Sequence, residues 1–135
     1  MAVVGVGIDV MEIDRFATSL QRRPRLAERC FTRVEAEYCH SRAFPPQHFA
    51  ARFAAKEAVG KALGIGMTRW REVEVIRGRG APGIMLHGIY AQRAAALGVT
   101  QVLVSLTHGK TVAMATATAV DDPVPGDTAL ASVAS

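Results

Sequence analysis

The sequence predicts an α+β fold in which an antiparallel sheet packs against one long buried helix. Two features of the chain carry this prediction. The segment near residues 47–63 consists mainly of small and apolar residues, which is typical of a helix buried on nearly every side. The second half changes from helical periodicity to short strand-like runs separated by turns that contain glycine. This order of elements favours an antiparallel sheet in an α+β domain.

The first half begins with one strand, which helices follow. Its predicted elements are a β-branched strand and four helical segments, at residues 3–9, 11–20, just after Pro24, 32–41 and 47–63. The Arg-Arg-Pro sequence at 22–24 ends the first helix, because proline restricts the residue before it. Thr32, with Glu35 three residues later, forms a capping-box pattern. Phe44-Pro45-Pro46 is predicted to be a loop, and Gly64 ends the long helix.

The second half contains four predicted strands and one helix. The strands are residues 73–76, 84–86, 101–107 and 111–120, and the helix is residues 88–97. Glycine and proline at 78–83 predict a turn, and Gly98 ends the helix. Residues 108–110 join the last two strands in a tight hairpin. We therefore predict one domain over residues 1–120 and a flexible tail over residues 121–135.

Composition limits the setting in which the protein works. No secretory signal is recognisable at the start, and no apolar run is long enough to span a bilayer. The chain has two cysteines, so we expect a cytoplasmic protein with free thiols and no membrane partner. Cys30, Cys39, His40 and His48 do not have the spacing of a zinc site, because no close cysteine pair is present.

The positive charge is concentrated in one segment. The net charge is +4, and between Arg15 and Arg33 there are six arginines against one acidic residue, Glu28. Such a block indicates an acidic partner, which could be nucleic acid, an anionic membrane, a phosphate-rich ligand or an acidic protein. The alternative is a solvated helix face with no partner. Aromatic residues make up 6% of the chain, which disfavours the stacking surfaces of nucleic-acid binders.

The charges of the long helix fall on two stripes. At about 100° per residue, Arg52 and Lys56 share one stripe, and Glu57 and Lys61 share another. Asp9 ends the first predicted strand, so Asp9 and Glu57 could supply the two carboxylates that Mg²⁺ uses beside substrate phosphates. A carboxylate and a lysine on a buried helix therefore predict a metal and phosphate site.

Each of these carboxylates also has a structural interpretation. Asp9 could be the N-cap of the helix that follows it. Glu57 could form an i,i+4 pair with Lys61, which stabilises a helix by only about 0.2–0.5 kcal/mol. Glu12 is a possible third carboxylate for the metal. These alternatives remain open from the sequence.

Other catalytic motifs are weak or absent in the sequence. His108 lies at the tip of the last hairpin, where it could contact a ligand, carry a proton or have no function. Lys61 does not belong to a P-loop, because Ala55 and Ala62 occupy positions where that motif needs glycine and Ser or Thr. No G-x-S-x-G motif and no cysteine in a nucleophile setting occur, so no protein nucleophile is predicted.

Three segments together resemble one family. They are Val-Gly-Ile-Asp at 6–9, Phe-Ala-Ala-Lys-Glu-Ala-Val-Gly-Lys-Ala at 53–62 and Val-Ser-Leu-Thr-His at 104–108. Over about residues 3–119 the chain resembles holo-(acyl carrier protein) synthase, the small bacterial 4′-phosphopantetheinyl transferase. The resemblance implies transfer of phosphopantetheine from coenzyme A to a serine of acyl carrier protein, with Mg²⁺ required and adenosine 3′,5′-bisphosphate released. It also implies fatty acid biosynthesis and a homotrimer with sites at subunit boundaries.

The resemblance assigns roles to individual residues. It implies that Asp9 and Glu57 hold the metal, and that Lys61 lies on the pyrophosphate. Transfer also requires a base for the serine proton, for which Glu57 or a water on the metal is our candidate. Arg52 and Lys56 match family positions close to the nucleotide, and His108 is expected near the coenzyme A phosphates. The positions that match the family's surface for the carrier protein are Arg15, Arg22 and Arg25.

The implied chemistry agrees with the residues present. Phosphoryl transfer depends more on charge neutralisation and positioning than on a protein nucleophile, and the attacking serine belongs to the partner. One alternative is a non-enzymatic nucleic-acid binder, which would leave Asp9 and Glu57 without a role. Another is a catalytically idle trimeric scaffold of the same fold.

Overall fold

The computed structural model describes residues 2–121. In chain order its elements are β1 (Val3–Glu12), α1 (Ile13–Arg22), α2 (Leu26–Cys30), α3 (Arg33–His40), α4 (Pro45–Leu63), a 3₁₀ turn (Trp70–Glu72), β2 (Val73–Arg77), β3 (Pro82–Leu86), α5 (Gly88–Leu97), β4 (Gln101–His108) and β5 (Val112–Val120). The α+β fold class is confirmed. No helix within residues 2–121 has the length and apolar character needed to cross a membrane.

The described strands form two antiparallel sheets. The larger sheet has the order β1-β5-β4, and the smaller one is the β2-β3 hairpin. In the larger sheet Asp9 pairs with Ala115, which also pairs with Leu106 of β4. β5 is the central strand, and its alternate alanines (Ala113, Ala115, Ala117 and Ala119) are buried. These small side chains leave room for a helix close to the sheet.

That helix is α4, which packs against the larger sheet through β1 and β5. Side chains on β1 alternate between its two faces, so Gly5 and Gly7 lie on the same face as Asp9. A Cβ atom at Gly5 would collide with the carbonyl oxygen of Ala62, and one at Gly7 with that of Ala58. Glycine at both positions therefore permits the backbones of β1 and α4 to touch.

Two apolar clusters hold the elements together. One surrounds the C-terminal half of α4 and includes the inner faces of both sheets and Tyr90 of α5. The other surrounds its N-terminal half, where α1, α2 and α3 meet α4. Aromatic rings link the second cluster, with Phe53 stacked on Trp70 at 4.4 Å between ring centroids and Phe31 against Phe49 at 4.9 Å. Each fully buried aromatic side chain contributes about 1.5–3 kcal/mol.

Most predicted elements are present, and the differences lie at their ends. The capping box of Thr32 and Glu35 is confirmed, and so is the left-handed Gly64 that ends α4. β1 runs to Glu12, not Asp9, because its pairing with β5 continues to Val112. The prediction of a loop through residue 46 is wrong, because α4 begins at Pro45. Proline is tolerated in the first turn of a helix, where its missing N–H would have no helical partner.

The predicted domain limits remain a prediction. β5 ends at Val120. The amide of Ala2 donates to Oδ1 of Asp121, and the amide of Asp121 donates to the carbonyl oxygen of Ala2. The predicted tail lies outside the described residues beyond Asp121.

Candidate active site

Asp9 lies inside β1 on the face that contacts α4. Because Gly5 and Gly7 precede it on the same face, the strand approaches the helix closely and brings Asp9 near Glu57 and Lys61. The N-cap residue of α1 is Glu12, with no side-chain capping hydrogen bond. The interpretation of Asp9 as an N-cap is therefore wrong, and its carboxylate is available to the face of α4.

Lys61 connects α4 to β1. Its Nζ donates to the carbonyl oxygen of Ile8 at 2.9 Å and to Oδ1 of Asp9 at 3.3 Å. The Lys61 side chain is 55% exposed, whereas that of Asp9 is 19% exposed. The ion pair expected from helix spacing was between Lys61 and Glu57, but the lysine pairs with Asp9. An exposed ammonium beside a half-buried carboxylate can contact an anionic ligand without leaving this position.

Glu57 is half-buried, and the charges of Asp9 and Lys61 both affect its carboxyl group. Burial raises the pKa of its carboxyl group, the charge of Asp9 raises it further, and the charge of Lys61 lowers it. The charges of Asp9 and Lys61 act on Glu57 because all three side chains lie where β1 meets α4. Two carboxylates form a suitable donor set for Mg²⁺, which takes its remaining ligands from waters and substrate phosphates.

The other sequence candidate for the metal lies elsewhere. Glu12 is three residues from Asp9 on β1, so its side chain is on the opposite face, where it pairs with Arg15 at 3.6 Å. Within residues 2–121 no group of three or more His, Cys, Asp or Glu side chains could hold a metal ion. Of the three carboxylates that the sequence offers for a metal, Asp9 and Glu57 lie in one region and Glu12 lies outside it.

A second charged cluster surrounds Tyr38 of α3. The guanidinium of Arg52 lies 4.3 Å from the centre of the Tyr38 ring, that of Arg77 lies 4.8 Å away and that of Arg42 lies 5.8 Å away. Arg52 is buried, and Arg77 comes from the end of β2. Tyr38, Arg52 and Arg77 line a cavity of about 250 Å³ between α3 and β2, which Glu35 also lines. We call Tyr38 and the three arginines, with His48 and His108, the Tyr38 cluster.

His108 ends β4 and joins the Tyr38 cluster through His48. The His108 and His48 rings are 5.6 Å apart, and the His48 and Tyr38 rings are 6.0 Å apart. Among the ion pairs of the described chain, none involves Arg42, Arg52 or Arg77. Glu35, which lines the same cavity, is paired with Lys56, so these arginines form no ion pair in the described chain and are suited to an anion.

Lys56 does not join either cluster. Its side chain is fully buried and its Nζ donates to Oε1 of Glu35 at 2.9 Å and to the carbonyl oxygens of Val73 and Trp70 at 2.6 and 3.0 Å. Burial lowers the pKa of Lys56, and the charge of Glu35 opposes that effect. All three ammonium protons have protein acceptors, so the structure gives Lys56 no access to a ligand.

The arginines of the predicted partner surface are exposed. Arg15 and Arg22 lie on α1, and Arg25 lies just before α2. Beside them a groove of about 470 Å³ runs between β1 and α1 and is walled by Met11 and Phe16, among others. This surface combines an apolar groove with a basic rim.

Sequence reasoning missed several residues of these clusters. Tyr38 and Arg42 are four residues apart at the end of α3, whereas Arg77 comes from the end of β2, and no local pattern links it to them. His48 could have been found, because it lies four residues before Arg52 and therefore on the same stripe of α4. Glu35 was noted as a capping residue, but its pairing with Lys56 spans 21 residues and depends on the fold.

Comparison with known proteins identifies the family. A sequence model of the 4′-phosphopantetheinyl transferase superfamily matches residues 5–117. The chain belongs to this superfamily. The holo-[acyl-carrier-protein] synthase of Moorella thermoacetica is 48% identical over 114 residues, which are 82% of this chain and 89% of that one. The resemblance to holo-(acyl carrier protein) synthase that the sequence motifs indicated is therefore confirmed.

Solved structures agree with the fold. The holo-[acyl-carrier-protein] synthase of Neisseria meningitidis superposes with a TM-score of 0.80 over 88% of this chain and 99% of that one, at 22% identity, and shows the fold alone. The Bacillus anthracis holo-(acyl-carrier-protein) synthase is described in complex with CoA (3′,5′-ADP). It superposes with a TM-score of 0.70 over 87% of this chain and 96% of that one, at 27% identity.

Proposed function

We propose that this phosphopantetheinyl transferase moves 4′-phosphopantetheine from coenzyme A to a serine of apo acyl carrier protein. The products are the holo carrier protein and adenosine 3′,5′-bisphosphate, and the reaction serves fatty acid biosynthesis in the cytoplasm. The observation that carries the proposal is the meeting of Asp9, Glu57 and Lys61 where β1 touches α4. Coenzyme A as the donor is supported by the B. anthracis relative, which is described in complex with it.

The group of Asp9, Glu57 and Lys61 would act on the pyrophosphate of coenzyme A. Asp9 and Glu57 would hold Mg²⁺, which when bound supplies charge neutralisation at the phosphate oxygens. Lys61 would neutralise the charge that grows on the departing bisphosphate, because its exposed ammonium already lies beside Asp9. Glu57 is our candidate for the group that accepts the proton of the attacking serine. The nucleophile belongs to the carrier protein.

The Tyr38 cluster would bind the nucleotide end of coenzyme A. Coenzyme A has two anionic regions, the pyrophosphate and the 3′-phosphate, and Lys61 and the Tyr38 cluster each offer cationic groups. Since Lys61 serves the pyrophosphate in this proposal, Arg52 and His108 are available to the 3′-phosphate. Guanidinium groups favour phosphate because they form paired, charge-assisted hydrogen bonds. Lys56 has no role in nucleotide binding in this proposal. It connects α4 to Glu35 of α3 and to the carbonyl oxygens of Trp70 and Val73.

A homotrimer with sites at subunit boundaries is part of the proposal. Arg52 and Glu57 lie about 140° apart around α4, so the two clusters occupy different faces of the helix. The outer face of the β1-β5-β4 sheet is apolar and exposed, with Val6 66%, Ile8 55% and Val10 54% accessible. A second subunit that covers this face would remove it from water and could bring one chain's Asp9 and Glu57 toward another chain's Tyr38 cluster.

The carrier protein would bind along α1. The exposed Arg15, Arg22 and Arg25 would contact its acidic helix, and the adjoining apolar groove would take apolar side chains of the same helix. Opposite charges on the two surfaces would steer the encounter and orient the serine.

Mass spectrometry tests the proposed reaction. Apo acyl carrier protein is incubated with this protein, coenzyme A and Mg²⁺, and the carrier protein is weighed. The proposal expects the mass increase of one phosphopantetheine, and loss of that increase when the metal is chelated. No increase with several carrier proteins would support the nucleic-acid binder or the idle scaffold.

A further inference from the structure

His48 is a histidine at the centre of a positively charged environment. It lies in the second turn of α4, one turn before Arg52, and its ring contacts those of His108 and Tyr38. The side chain is partly exposed, and its Nε2 is 3.4 Å from the amide nitrogen of Gln47. When the amide nitrogen donates, Nε2 accepts and the imidazole is neutral.

Burial and the charged groups around His48 disfavour its protonated form in the free protein. Burial lowers the pKa of His48, and the charges of Arg52, His108 and Arg42 lower it further. These groups come from α4, from the end of β4 and from the segment between α3 and α4, and Tyr38 faces the ring from α3. No carboxylate pairs with His48 in the described part of the chain.

A bound phosphate would reverse this balance. A dianion among Arg52, His108 and His48 would offset the repulsion that disfavours the imidazolium, and it would accept a hydrogen bond from the protonated ring. We propose that His48 is a further ligand-binding residue, which binds the 3′-phosphate of coenzyme A as an imidazolium. This inference rests on the proposed function and adds a contact to the nucleotide end of that site.

The proposal has a consequence for the pH dependence of affinity. The complex holds one more proton than the free protein between the lowered pKa of free His48 and the raised pKa of bound His48. Coenzyme A affinity therefore falls as pH rises through that window and is independent of His48 protonation below and above it. The unperturbed pKa of histidine is about 6.5, and burial and the neighbouring charges place the lower edge of this window below it.

Isothermal titration calorimetry of the full chain tests the role of His48. Coenzyme A and 3′-dephospho-coenzyme A are titrated into wild type, His48→Gln and His48→Lys at pH of about 6 and about 8.5. His40→Gln is the matched control, because His40 is exposed at the end of α3 and its ring contacts Phe49 outside the Tyr38 cluster. Thermal unfolding of each variant checks that the fold is kept.

We expect His48→Gln to weaken coenzyme A binding about tenfold at the lower pH, as for one lost hydrogen bond to a charged group. At the higher pH the loss is less than about twofold, and 3′-dephospho-coenzyme A shows no loss at either pH. His48→Lys binds coenzyme A at both pH values about as tightly as wild type does at the lower pH, because the lysine charge does not titrate in this range. His40→Gln behaves as wild type.

Three outcomes overturn the proposal. They are wild-type affinity of His48→Gln for coenzyme A at the lower pH, an equal loss at both pH values, and an equal loss with and without the 3′-phosphate. Failure of the proposed function looks different, because the wild type would then neither bind coenzyme A nor modify a carrier protein.

Discussion

Nζ of Lys61 lies 3.3 Å from Oδ1 of Asp9 and joins two residues 52 positions apart in the chain. The contact exists because Gly5 and Gly7 let β1 lie directly on α4. Helix spacing alone would pair Lys61 with Glu57, and the ammonium instead lies against the strand. The pair sets the positions of two groups that act on phosphate in the proposed reaction.

Glu57→Gln removes one carboxylate of the proposed metal site. We expect kcat/KM for carrier-protein modification to fall by about 10³-fold, because charge stabilisation at the reacting phosphate is lost. The fold should be kept, since the side chain is half-buried and neutralising it removes a repulsion from Asp9. Glu37→Gln, in an exposed pair with Arg33, is the control, and turnover of Glu57→Gln near wild type would contradict the assignment.

Charge reversal at Arg15, Arg22 and Arg25 tests the partner surface. We expect the triple change to Glu to raise KM for the carrier protein about tenfold or more, because like charges would repel the acidic helix. KM for coenzyme A should stay unchanged. The triple change of Arg69, Arg71 and Arg79 to Glu, all exposed and outside α1 and α2, controls for the same change of net charge. Equal effects of the two changes would show that the α1 surface is not specific.

Val6→Lys tests the proposed trimer. Val6 is 66% exposed on the outer face of the larger sheet, and a lysine there would place a charge inside any interface that covers it. Size-exclusion chromatography with light scattering should report a trimer for wild type and for Ile89→Lys on α5, and a monomer for Val6→Lys. Transfer activity should be lost with the trimer, and a fully active monomer would contradict a site at a subunit boundary.

The buried pair of Lys56 and Glu35 is predicted to serve stability. Lys56→Met leaves the Glu35 carboxylate without its charged partner, so the free energy of unfolding should fall by about 3–5 kcal/mol. Arg33→Met removes a pair with Glu37 whose side chains are 89% and 64% exposed, and it should cost less than about 0.5 kcal/mol. Urea unfolding measures both, and similar losses would contradict the structural role.

Cys39 gives a pH dependence of stability with a defined sign. Burial raises the pKa of its thiol from 9.0 to about 11, so the folded protein keeps a proton that the unfolded chain releases. Stability from this group is complete below pH 9.0 and is lost as pH rises toward 11. Between neutral pH and a pH of about 10, wild type should lose about 1 kcal/mol more than Cys39→Ala in urea unfolding. Parallel slopes would show that Cys39 does not contribute.

The sequence by itself determined the local structure and the identity of the chemical groups. The capping box at Thr32, the left-handed Gly64 and the span of α5 were predicted because they depend on neighbouring residues. The pairing of Asp9 with α4 was predicted from chemistry and family resemblance, not from spacing.

Only the tertiary structure decided which charges meet. Arg52 and Lys56 share a helical stripe, but Arg52 lies against Tyr38 in a charged cavity, whereas Lys56 is enclosed with Glu35. Their environments differ because α3 and β2, distant in the chain, cover one residue more completely than the other. Burial and long-range charge contacts depend on how elements pack, and a linear pattern does not contain that information.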